Sequence, residues 1–461
     1  MQESHGISKL GVFSVSLGAI IGWGAFMQPG ETYLPKAGVV NTFIGLFIGM
    51  LMLMAIEKNY AYMVDIYDDS GGEFLYAKKT LGDKIGFLTG WFLVLAYIAT
   101  LSLNASAFTI LVSGFLPDFL KTVYLYSING FHIYLGEVLF TIISIGIICY
   151  INLRNIQFSS RYQIMLSGTL VSIILLLLCV FLYKYDPQKH VLNTYLGFDK
   201  INMSKILSII ALAPWAFLGF DTIVQMSEEY ECENSTASKL AVLSIISGFI
   251  IYNILNVMTA SVYTKEAIVN GNIQWATGDA VSHYLGDIGL VLLFIALGAS
   301  VLAGMNGFIL ASSRLILSMS REKVLPESFG NISENNIPHN AVKFVALVSC
   351  LTAFLGRNII VLIVNMASLG GVLAFFFTSM CVYKLNKKFN IHKFFAGLGM
   401  IFSTIFMIIL LIPSSPAFMG IQGYILLILW GITGFFFYKY KSNYKLKNKE
   451  AITDKQSSLS Y

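Results

Sequence analysis

Charged residues are scarce in this chain. Aspartate, glutamate, lysine and arginine make up 12% of its 461 residues, whereas 56% of the residues are hydrophobic. A soluble protein of this length cannot bury so much apolar surface, so a soluble globular fold is excluded. The apolar residues fall into repeated runs of about 18 or more, the length that an α-helix needs to cross a bilayer. We therefore predict an all-α polytopic membrane protein.

Motifs for catalysis and cofactor binding are lacking as well. The five cysteines are scattered, and the six histidines show no ligand spacing such as His-Glu-x-x-His. The chain has no Gly-Lys-Ser phosphate loop, and Gly22-Trp23-Gly24 lies outside the strand–turn–helix unit of a dinucleotide site. We therefore expect no enzyme, no ATP-driven pump, no cofactor and no metal. The net charge of +5 does not indicate a nucleic-acid partner.

Apolar runs between charged or glycine- and proline-rich breaks predict about twelve membrane spans. Together they form a transporter domain over residues 1–439, followed by a basic tail over residues 440–461. The predicted spans lie near 10–29, 38–63, 84–115, 133–152, 161–183, 203–228, 238–263, 287–319, 341–356, 358–383, 394–412 and 418–438.

Three glycines lie in the middle of the first apolar run: Gly18, Gly22 and Gly24. Each glycine in a helix interior costs about 1 kcal/mol relative to alanine. An opened backbone at membrane depth is tolerated only where it is buried in protein or lines a cavity. The pattern therefore predicts a broken helix whose main chain forms a binding site. The alternative is close helix–helix packing through small residues.

A second interruption is predicted in the sixth span, at Pro214–Phe220. Each interruption opens a set of five spans, about 10–183 and about 203–383, and two extra helices follow at about 394–438. Paired broken helices indicate an inverted-repeat transporter with its site at the midplane. Freed N–H groups suit a carboxylate and freed carbonyls suit a cation, so a zwitterion, or an amine with a coupling ion, fits such a site.

Lysine and arginine set the expected orientation. Placing the N-terminus in the cytoplasm puts most of these residues on the cytoplasmic side, including those of the tail. This distribution follows the positive-inside rule. We therefore expect a multi-pass plasma-membrane protein with both termini in the cytoplasm.

Four motifs resemble the amino acid–polyamine–organocation (APC) transporter superfamily. The loop after the eighth span, from Ser313-Arg314-Leu315 to Leu325-Pro326, resembles the family's Arg-rich loop that ends in Leu-Pro. Gly71-Gly72 before the third span, with Gly90-Trp91 inside it, is similar to the family's Gly-Gly-x-x-Tyr loop and Gly-Trp pair. The stretches Gly18–Phe26 and Phe217–Asp221 resemble the signatures of the family's first and sixth spans.

The resemblance implies a LeuT-like fold with broken helices 1 and 6, and a permease or antiporter of amino acids or related amines. It implies gating by Tyr97 and Asp221, as in arginine/agmatine antiporters. The implied substrate site comprises the main chain of the first break and aromatic or small residues of the second: Ile20, Ile21, Gly22, Trp23, Gly24, Trp215, Phe217 and Gly219.

Two positions depart from the family pattern. Trp23 replaces a serine or threonine that would help to hold a carboxylate. Its indole could face an amine by cation–π attraction, or it could fill space against a neighbouring helix. Leu170 stands where some members carry a lysine in the fifth span, so a lysine proton carrier is not supported.

Other polar residues leave alternatives open. A charged Asp221 side chain at bilayer depth costs free energy, which favours a role as a proton switch that controls gating. The alternative is a solvated carboxylate at the end of the sixth span. Asn104 lies seven residues after Tyr97, on the same helix face, and either binds a substrate amine or joins helices. Ser312 and Ser313 are candidates for a sodium site with the carbonyls of the first break.

The function predicted from these features is a secondary active transporter of an amino acid or an organic amine, working by alternating access in the lipid bilayer. The substrate stays open between a neutral amino acid, a cationic amino acid and an amine without a carboxylate, such as a polyamine. The coupling ion stays open between H⁺ and Na⁺. A channel or substrate sensor is the alternative of another class, although no charge ring or carbonyl filter is visible.

Overall fold

The computed structural model of the protein describes residues 6–458 apart from 129–130, 188–190, 272, 274, 334–336, 356–359, 414 and 416–417. Helices dominate the fold, and a two-stranded antiparallel hairpin lies between two of them. The helices and strands of the first part are α1 (Lys9–Ile20), α2 (Gly24–Gln28), α3 (Gly38–Ile66), α4 (Gly72–Leu81), α5 (Asp83–Phe115), α6 (Pro117–Leu120), β1 (Tyr124–Ile128), β2 (Phe131–Tyr134), α7 (Leu135–Arg154) and α8 (Ile156–Lys184).

A π-helical segment, Pro29–Ala37, joins α2 to α3 in the first part of the chain. The second part contains shorter helices before and between the long ones. Short 3₁₀ turns lie at Val191–Tyr195, Phe198–Lys200, Ser227–Glu229, Glu327–Gly330 and Ala353–Leu355. The α-helices are α9 (Met203–Ile210), α10 (Ala213–Ala216), α11 (Thr222–Gln225), α12 (Asn234–Ala260), α13 (Lys265–Asn270), α14 (Ala276–Arg321), α15 (His339–Thr352), α16 (Ile360–Leu385), α17 (Ile391–Leu411) and α18 (Gly420–Ser458).

Nine helices among the described residues are long and apolar enough to cross a membrane, which confirms the predicted all-α polytopic fold class. They are α5, α7, α8, α12, α14, α16, α17, the first part of α18, and α3 together with the segment that precedes it. The first, sixth and ninth predicted spans correspond to shorter helices instead. These are α1 with 12 residues, the series α9 to α11, and α15 with 14 residues.

The helix α14 is longer than the span predicted for it because it includes a bend. Gly286 in this 46-residue helix has φ 63° and ψ −154°, which is outside the helical region. The helical residues before Gly286 therefore run in another direction from those after it. The part after the bend agrees with the predicted span 287–319.

The packing of the long helices places α1 in the interior. It contacts α8, α12 and α14, while α5 lies between α14 and α16. The outer helices α17 and α18 expose isoleucine side chains such as Ile401, Ile408 and Ile425, as expected for surfaces that face lipid. Trp91 and Trp430 fasten α18 to α5: their rings stack at 4.6 Å, and each indole N–H donates to the other residue's carbonyl, at 2.9 and 3.0 Å.

Candidate transport site at two interrupted helices

The first interruption separates α1 from α2. α1 ends at Ile20, the backbone of Ile21 is extended (φ −89°, ψ 90°), and α2 begins at Gly24. Two carbonyls at the interruption each have one hydroxyl partner within the protein. The Tyr252 hydroxyl lies 3.1 Å from the Ile20 carbonyl oxygen, and the Ser300 hydroxyl donates to the Ile21 carbonyl at 2.7 Å. Internal partners are needed here because lipid offers none.

The second interruption lies directly against the first. Between α10 and α11, Gly219 has φ +128°, a conformation that other residues rarely adopt. A Cβ atom on Gly219 would lie 2.6 Å from the Ala19 Cβ and 2.9 Å from the Ile20 nitrogen. The close approach of the two backbones therefore depends on this glycine. The Tyr252 hydroxyl also lies 2.8 Å from the Ala216 carbonyl, so it connects both interruptions.

Two tryptophans lie at the interruptions. Trp23 and Trp215 are 7% and 8% exposed, and the Trp215 ring covers Gly24 so closely that a Cβ there would lie 2.2 Å from its Cη2 atom. The Trp23 indole N–H has no hydrogen-bond partner among the described residues. Phe217 packs edge-on against Tyr252 with ring centres 5.9 Å apart. The two interruptions are therefore lined by aromatic faces and one unused indole donor.

Asn104 of α5 occupies the space that the glycines of the first interruption leave. Its Oδ1 accepts a hydrogen bond from the Trp23 backbone N–H at 3.4 Å, and its Nδ2 donates to the Thr100 carbonyl at 3.0 Å. A Cβ on Gly22 would lie 2.8 Å from Oδ1. The carboxamide thus binds one of the freed N–H groups of the interruption. Its role in substrate binding stays a prediction.

Tyr97 and Asp221 form a direct contact beside the second interruption. The Tyr97 hydroxyl donates to Asp221 Oδ2 at 2.7 Å, and the Gly219 N–H donates to Oδ1 at 2.8 Å. Asp221 is 0% exposed, so it is not the solvated carboxylate of the alternative interpretation. Each carboxyl oxygen has one donor, an arrangement that stabilises the ionised form.

The predicted site residues are therefore brought together in space. Ile20, Ile21 and Phe217 all reach Gly248 of α12, where a Cβ would lie 2.7 to 3.7 Å from their side chains. The remaining predicted residues adjoin them through the contacts described above. Whether these residues bind a substrate stays a prediction.

The predicted role of Ser312 and Ser313 in a sodium site stays a prediction. Their hydroxyls donate to carbonyls of their own helix, those of Phe308 and Leu310, at 2.5 and 2.9 Å. The hydroxyl at the first interruption belongs to Ser300, which lies twelve residues earlier, or about 18 Å along the helix. The sequence offered no signal that singled out Ser300 among the serines of this span.

A buried amide network joins α1, α7, α8 and α14 close to the site. Gln163 Nε2 donates to the carbonyls of Ser14 and Ala303, at 3.0 and 3.2 Å. Asn306 donates to Gln163 Oε1 at 2.8 Å and accepts from Asn152 Nδ2 at 2.8 Å. Asn306 therefore bonds between helices. Gln163 escaped sequence analysis because the family comparison pointed to Leu170, two helical turns further on.

The ends of α1 and α14 meet at what we call the α4 face, the end of the molecule that carries α4, the start of α1 and the turn Ser227–Glu229. Ile7 exchanges backbone hydrogen bonds with Glu229 and Glu231, at 2.7 and 3.0 Å. Arg314 pairs with Glu229 at 3.0 Å and Arg321 with Glu228 at 3.1 Å. Two arginines of the family-like loop thus hold α14 to the end of the sixth-span region.

An acidic cavity opens at the α4 face. It has a volume of about 650 Å³, and its lining includes Asp65, Asp68, Asp69, Glu228 and Glu233. Several carboxylates around one cavity create a negative potential that attracts cations and repels anions.

A buried carboxyl that sequence analysis did not single out lies between the α4 face and Asp221. Glu73, the third residue of the Gly71-Gly72-Glu73 stretch, is 0% exposed and accepts a hydrogen bond from Gln225 Nε2. Its acidic character was the available signal, but the family motif Gly-Gly-x-x-Tyr leaves the position of Glu73 unspecified. Glu73 interacts electrostatically with Asp221.

Two touching interruptions inside a bundle of apolar helices are typical of one class of protein, the multi-pass membrane transporters. The family model described as amino acid permease matches residues 7–437. The chain therefore belongs to the amino acid permease family, within the APC superfamily. This membership confirms the predicted resemblance and the predicted class of secondary transporter of amino acids or related compounds.

Individual relatives are distant but cover most of the chain. A methylthioribose transporter of Bacillus subtilis is 25% identical over 83% of this chain and 81% of its own length. A branched-chain amino acid permease of Lactococcus lactis is 23% identical over 81% of this chain and 80% of its own. An arginine/ornithine antiporter of Pseudomonas aeruginosa is 24% identical over 77% of this chain and 71% of its own.

Proposed function

We propose that the protein is a secondary active transporter, and not an enzyme, that moves an amine-bearing amino acid or a related organic amine across the plasma membrane. The observation that carries this proposal is the contact of the two interruptions at Gly219, which leaves peptide groups and aromatic faces in one central place. The proposed substrate site consists of the main chain of residues 20–24 with Asn104, Trp215, Phe217 and Gly219. Tyr97 and Asp221 form the proposed gate beside it.

Three features support an amine on the substrate. Trp23 and Trp215 offer indole faces that attract cations by about 0.5–2 kcal/mol. Trp23 replaces the hydroxyl that the family motif would offer to a carboxylate, while its indole N–H stays available as a donor. The acidic cavity at the α4 face favours cations over anions.

The proposed cycle is alternating access in a fold with two inverted repeats, over about residues 10–183 and 203–383. The α4 face is closed here by the Ile7, Arg314 and Arg321 contacts. Opening this face requires that the helices holding the two interruptions move away from α14. The charge distribution supports placing this face, and both termini, in the cytoplasm.

Uptake into liposomes tests the proposal. Purified protein is reconstituted, and the entry of radiolabelled arginine, putrescine and leucine is measured with empty liposomes as the background. We expect saturable entry of arginine, putrescine or both, and competition by the other amine. Entry of leucine alone would contradict a preference for a cationic substrate, and competition only by methylthioribose would contradict an amine on the substrate.

The same liposomes separate a transporter from a channel or a sensor. A transporter gives saturable uptake and accelerates exchange when unlabelled substrate is trapped inside, whereas a channel carries an ion current without saturation. Trans-acceleration by trapped arginine is therefore the expected result. Binding without any flux would indicate a sensor.

A further inference from the structure

Glu73 is held inside the protein by the backbone that precedes it. Gly71 has φ +116° and lies against α14, where a Cβ would meet the Ser318 Oγ at 2.0 Å. The next residue, Gly72, has φ +42° and begins α4. This sharp entry turns the first turn of α4 inward, so the Glu73 side chain lies in the interior although α4 itself is outside the spanning helices.

The carboxyl group of Glu73 is incompletely satisfied. Gln225 of α11 donates to its Oε2, whereas Oε1 has no hydrogen-bond partner among the described residues. The Tyr60 hydroxyl adjoins Glu73 and, within the described part of the chain, is also without a partner. The Tyr60 hydroxyl can donate to a Glu73 carboxylate or accept from a Glu73 carboxylic acid, so its position fits both protonation states of Glu73.

The other charged and titratable groups around α4 offer Glu73 no free cation within the described residues. Asp221 and the phenols of Tyr60, Tyr97 and Tyr76 interact with it. Four cations of the neighbouring elements are engaged elsewhere: Lys78 with Glu322, Arg314 with Glu229, Arg321 with Glu228, and Lys384 with the Thr80 carbonyl. Lys58 and Lys79 are exposed, whereas Glu73 is buried.

Two buried carboxyls that interact electrostatically, such as Glu73 and Asp221, cannot both be ionised without large cost. Burial raises the pKa of Glu73 well above its ordinary value of 4.5, and the negative charge of Asp221 raises it further. Asp221 accepts hydrogen bonds from the Tyr97 hydroxyl and the Gly219 N–H, which favour its ionised form, whereas the Gln225 amide that binds Glu73 Oε2 can bind a neutral carboxylic acid as well. The proton of the pair therefore resides on Glu73 when the α4 face is closed.

We propose that Glu73 is a proton-binding residue of the transport cycle: it holds one proton while the α4 face is closed and releases it when that face opens. The coupling runs through Gln225, which belongs to the sixth-span region and binds Glu73 of α4. Separation of α11 from α4 breaks this contact and admits water. The Glu73 carboxylic acid then gives its proton to water at that face and becomes a carboxylate. After the face closes again, it takes up a new proton from the opposite side of the membrane by way of the central site. This inference rests on the proposed transport function.

Proteoliposomes containing Glu73→Gln test the inference. A proton gradient of one pH unit, acid outside and with the membrane potential clamped at zero, can raise arginine accumulation about tenfold if one proton moves with each substrate. We expect the wild type to approach this ratio and to acidify the lumen. The Glu73→Gln protein should lose both effects and keep arginine exchange within about twofold, because glutamine preserves the shape and the Gln225 contact.

Glu57→Gln is the matched control, since Glu57 is also a buried carboxyl but lies beside Ser238 of α12. It should leave the gradient response unchanged. Retention of gradient-driven accumulation by Glu73→Gln, or its loss in Glu57→Gln, would overturn the inference while substrate exchange still supports transport. Absence of any arginine, putrescine or leucine flux in the wild type would instead remove the proposed function.

A second measurement does not need a substrate. A carboxyl whose folded-state pKa is raised contributes stability below its unfolded pKa and loses it as pH rises through the folded pKa. The Tm of the wild type should therefore fall, relative to that of Glu73→Gln, as pH is raised from about 5 to about 8. Parallel Tm profiles for the two proteins would contradict protonation of Glu73 in the closed form.

Discussion

At the scale of single residues, Trp23 and Asp221 have the clearest consequences. Trp23 replaces a small hydroxyl residue of the family motif, and its side chain lies at the first interruption with an unpaired indole N–H. Asp221 is buried beside the second interruption and binds Tyr97 directly. Trp23 is expected to influence which substrate binds, and Asp221 is expected to influence how the site opens.

Replacing Trp23 by leucine should weaken amine binding selectively. The loss of a cation–π contact of about 0.5–2 kcal/mol corresponds to about a 2- to 30-fold rise in Kd for arginine or putrescine. Trp23→Phe keeps an aromatic face and should retain part of the affinity. Equilibrium binding of labelled compounds to purified protein measures the effect. Equal affinity in the wild type and in Trp23→Leu would show that the indole only fills space.

Replacing Asp221 by asparagine should slow gating itself. Hydrogen bonds to charged groups contribute about 1.5–3 kcal/mol, so losing the charge should lower the exchange rate by roughly 10- to 100-fold. Tyr97→Phe, which removes the donor and keeps the ring, should act in the same direction. Exchange of labelled against unlabelled arginine measures this rate. Full uptake with unchanged pH dependence in Asp221→Asn would contradict the gating role.

At the scale of helices, the contact between the two interruptions depends on Gly219. Gly219→Ala adds a Cβ that would lie 2.6 Å from Ala19, and it forces alanine into φ +128°. We expect a loss of stability of at least about 1–3 kcal/mol, seen as a lower Tm. Gly114→Ala in α5 is the control, because a Cβ there has nothing within 4 Å. An unchanged Tm in Gly219→Ala would mean that the two interruptions do not touch.

The positions of the helices were largely predictable because apolar run length and helix breakers are local signals. Glycines at 18, 22 and 24 and a proline at 214 lie in or beside the interruptions that separate α1 from α2 and α10 from α11. The hairpin β1–β2 and the bend at Gly286 went unpredicted. Neither has a strong periodic pattern: the hairpin is short, and a single glycine does not identify a bend.

The partners of the site were less predictable because they depend on which helix faces meet. Ser300, Tyr252 and Gln163 come from three helices far apart in sequence, and each reaches a backbone carbonyl of the first span. Serine, tyrosine and glutamine are common in such helices, so residue type alone does not indicate their roles. Motif comparison identified the backbone they bind, but not the side chains that bind it.

At the scale of the whole molecule, the α4 face is closed by contacts between elements that belong to different parts of the chain. The start of α1 pairs with Glu229, and α14 binds Glu228 and Glu229 through Arg321 and Arg314. Alternating access requires that these contacts break together. An apolar cluster that includes Ile7, Met226 and Leu310 joins the same elements, so opening this face also exposes hydrophobic surface.

The orientation of the whole molecule can be tested by cysteine labelling. Single cysteines at Lys455 and Lys121 are introduced into a variant in which the five native cysteines are replaced. The positive-inside distribution predicts that a membrane-impermeant maleimide labels Lys121→Cys in intact cells and Lys455→Cys only after permeabilisation. The reverse pattern would place both the tail and the α4 face outside.

The central claim is that the peptide groups freed at the two interruptions hold the substrate. A cryo-electron microscopy structure of the protein with its transported compound bound tests this claim most directly. We predict density for the compound between the Gly22–Gly24 backbone and the Trp215–Gly219 segment, with an indole face against its amine. Density confined to the acidic cavity, or continuous helices in place of the two interruptions, would contradict the claim.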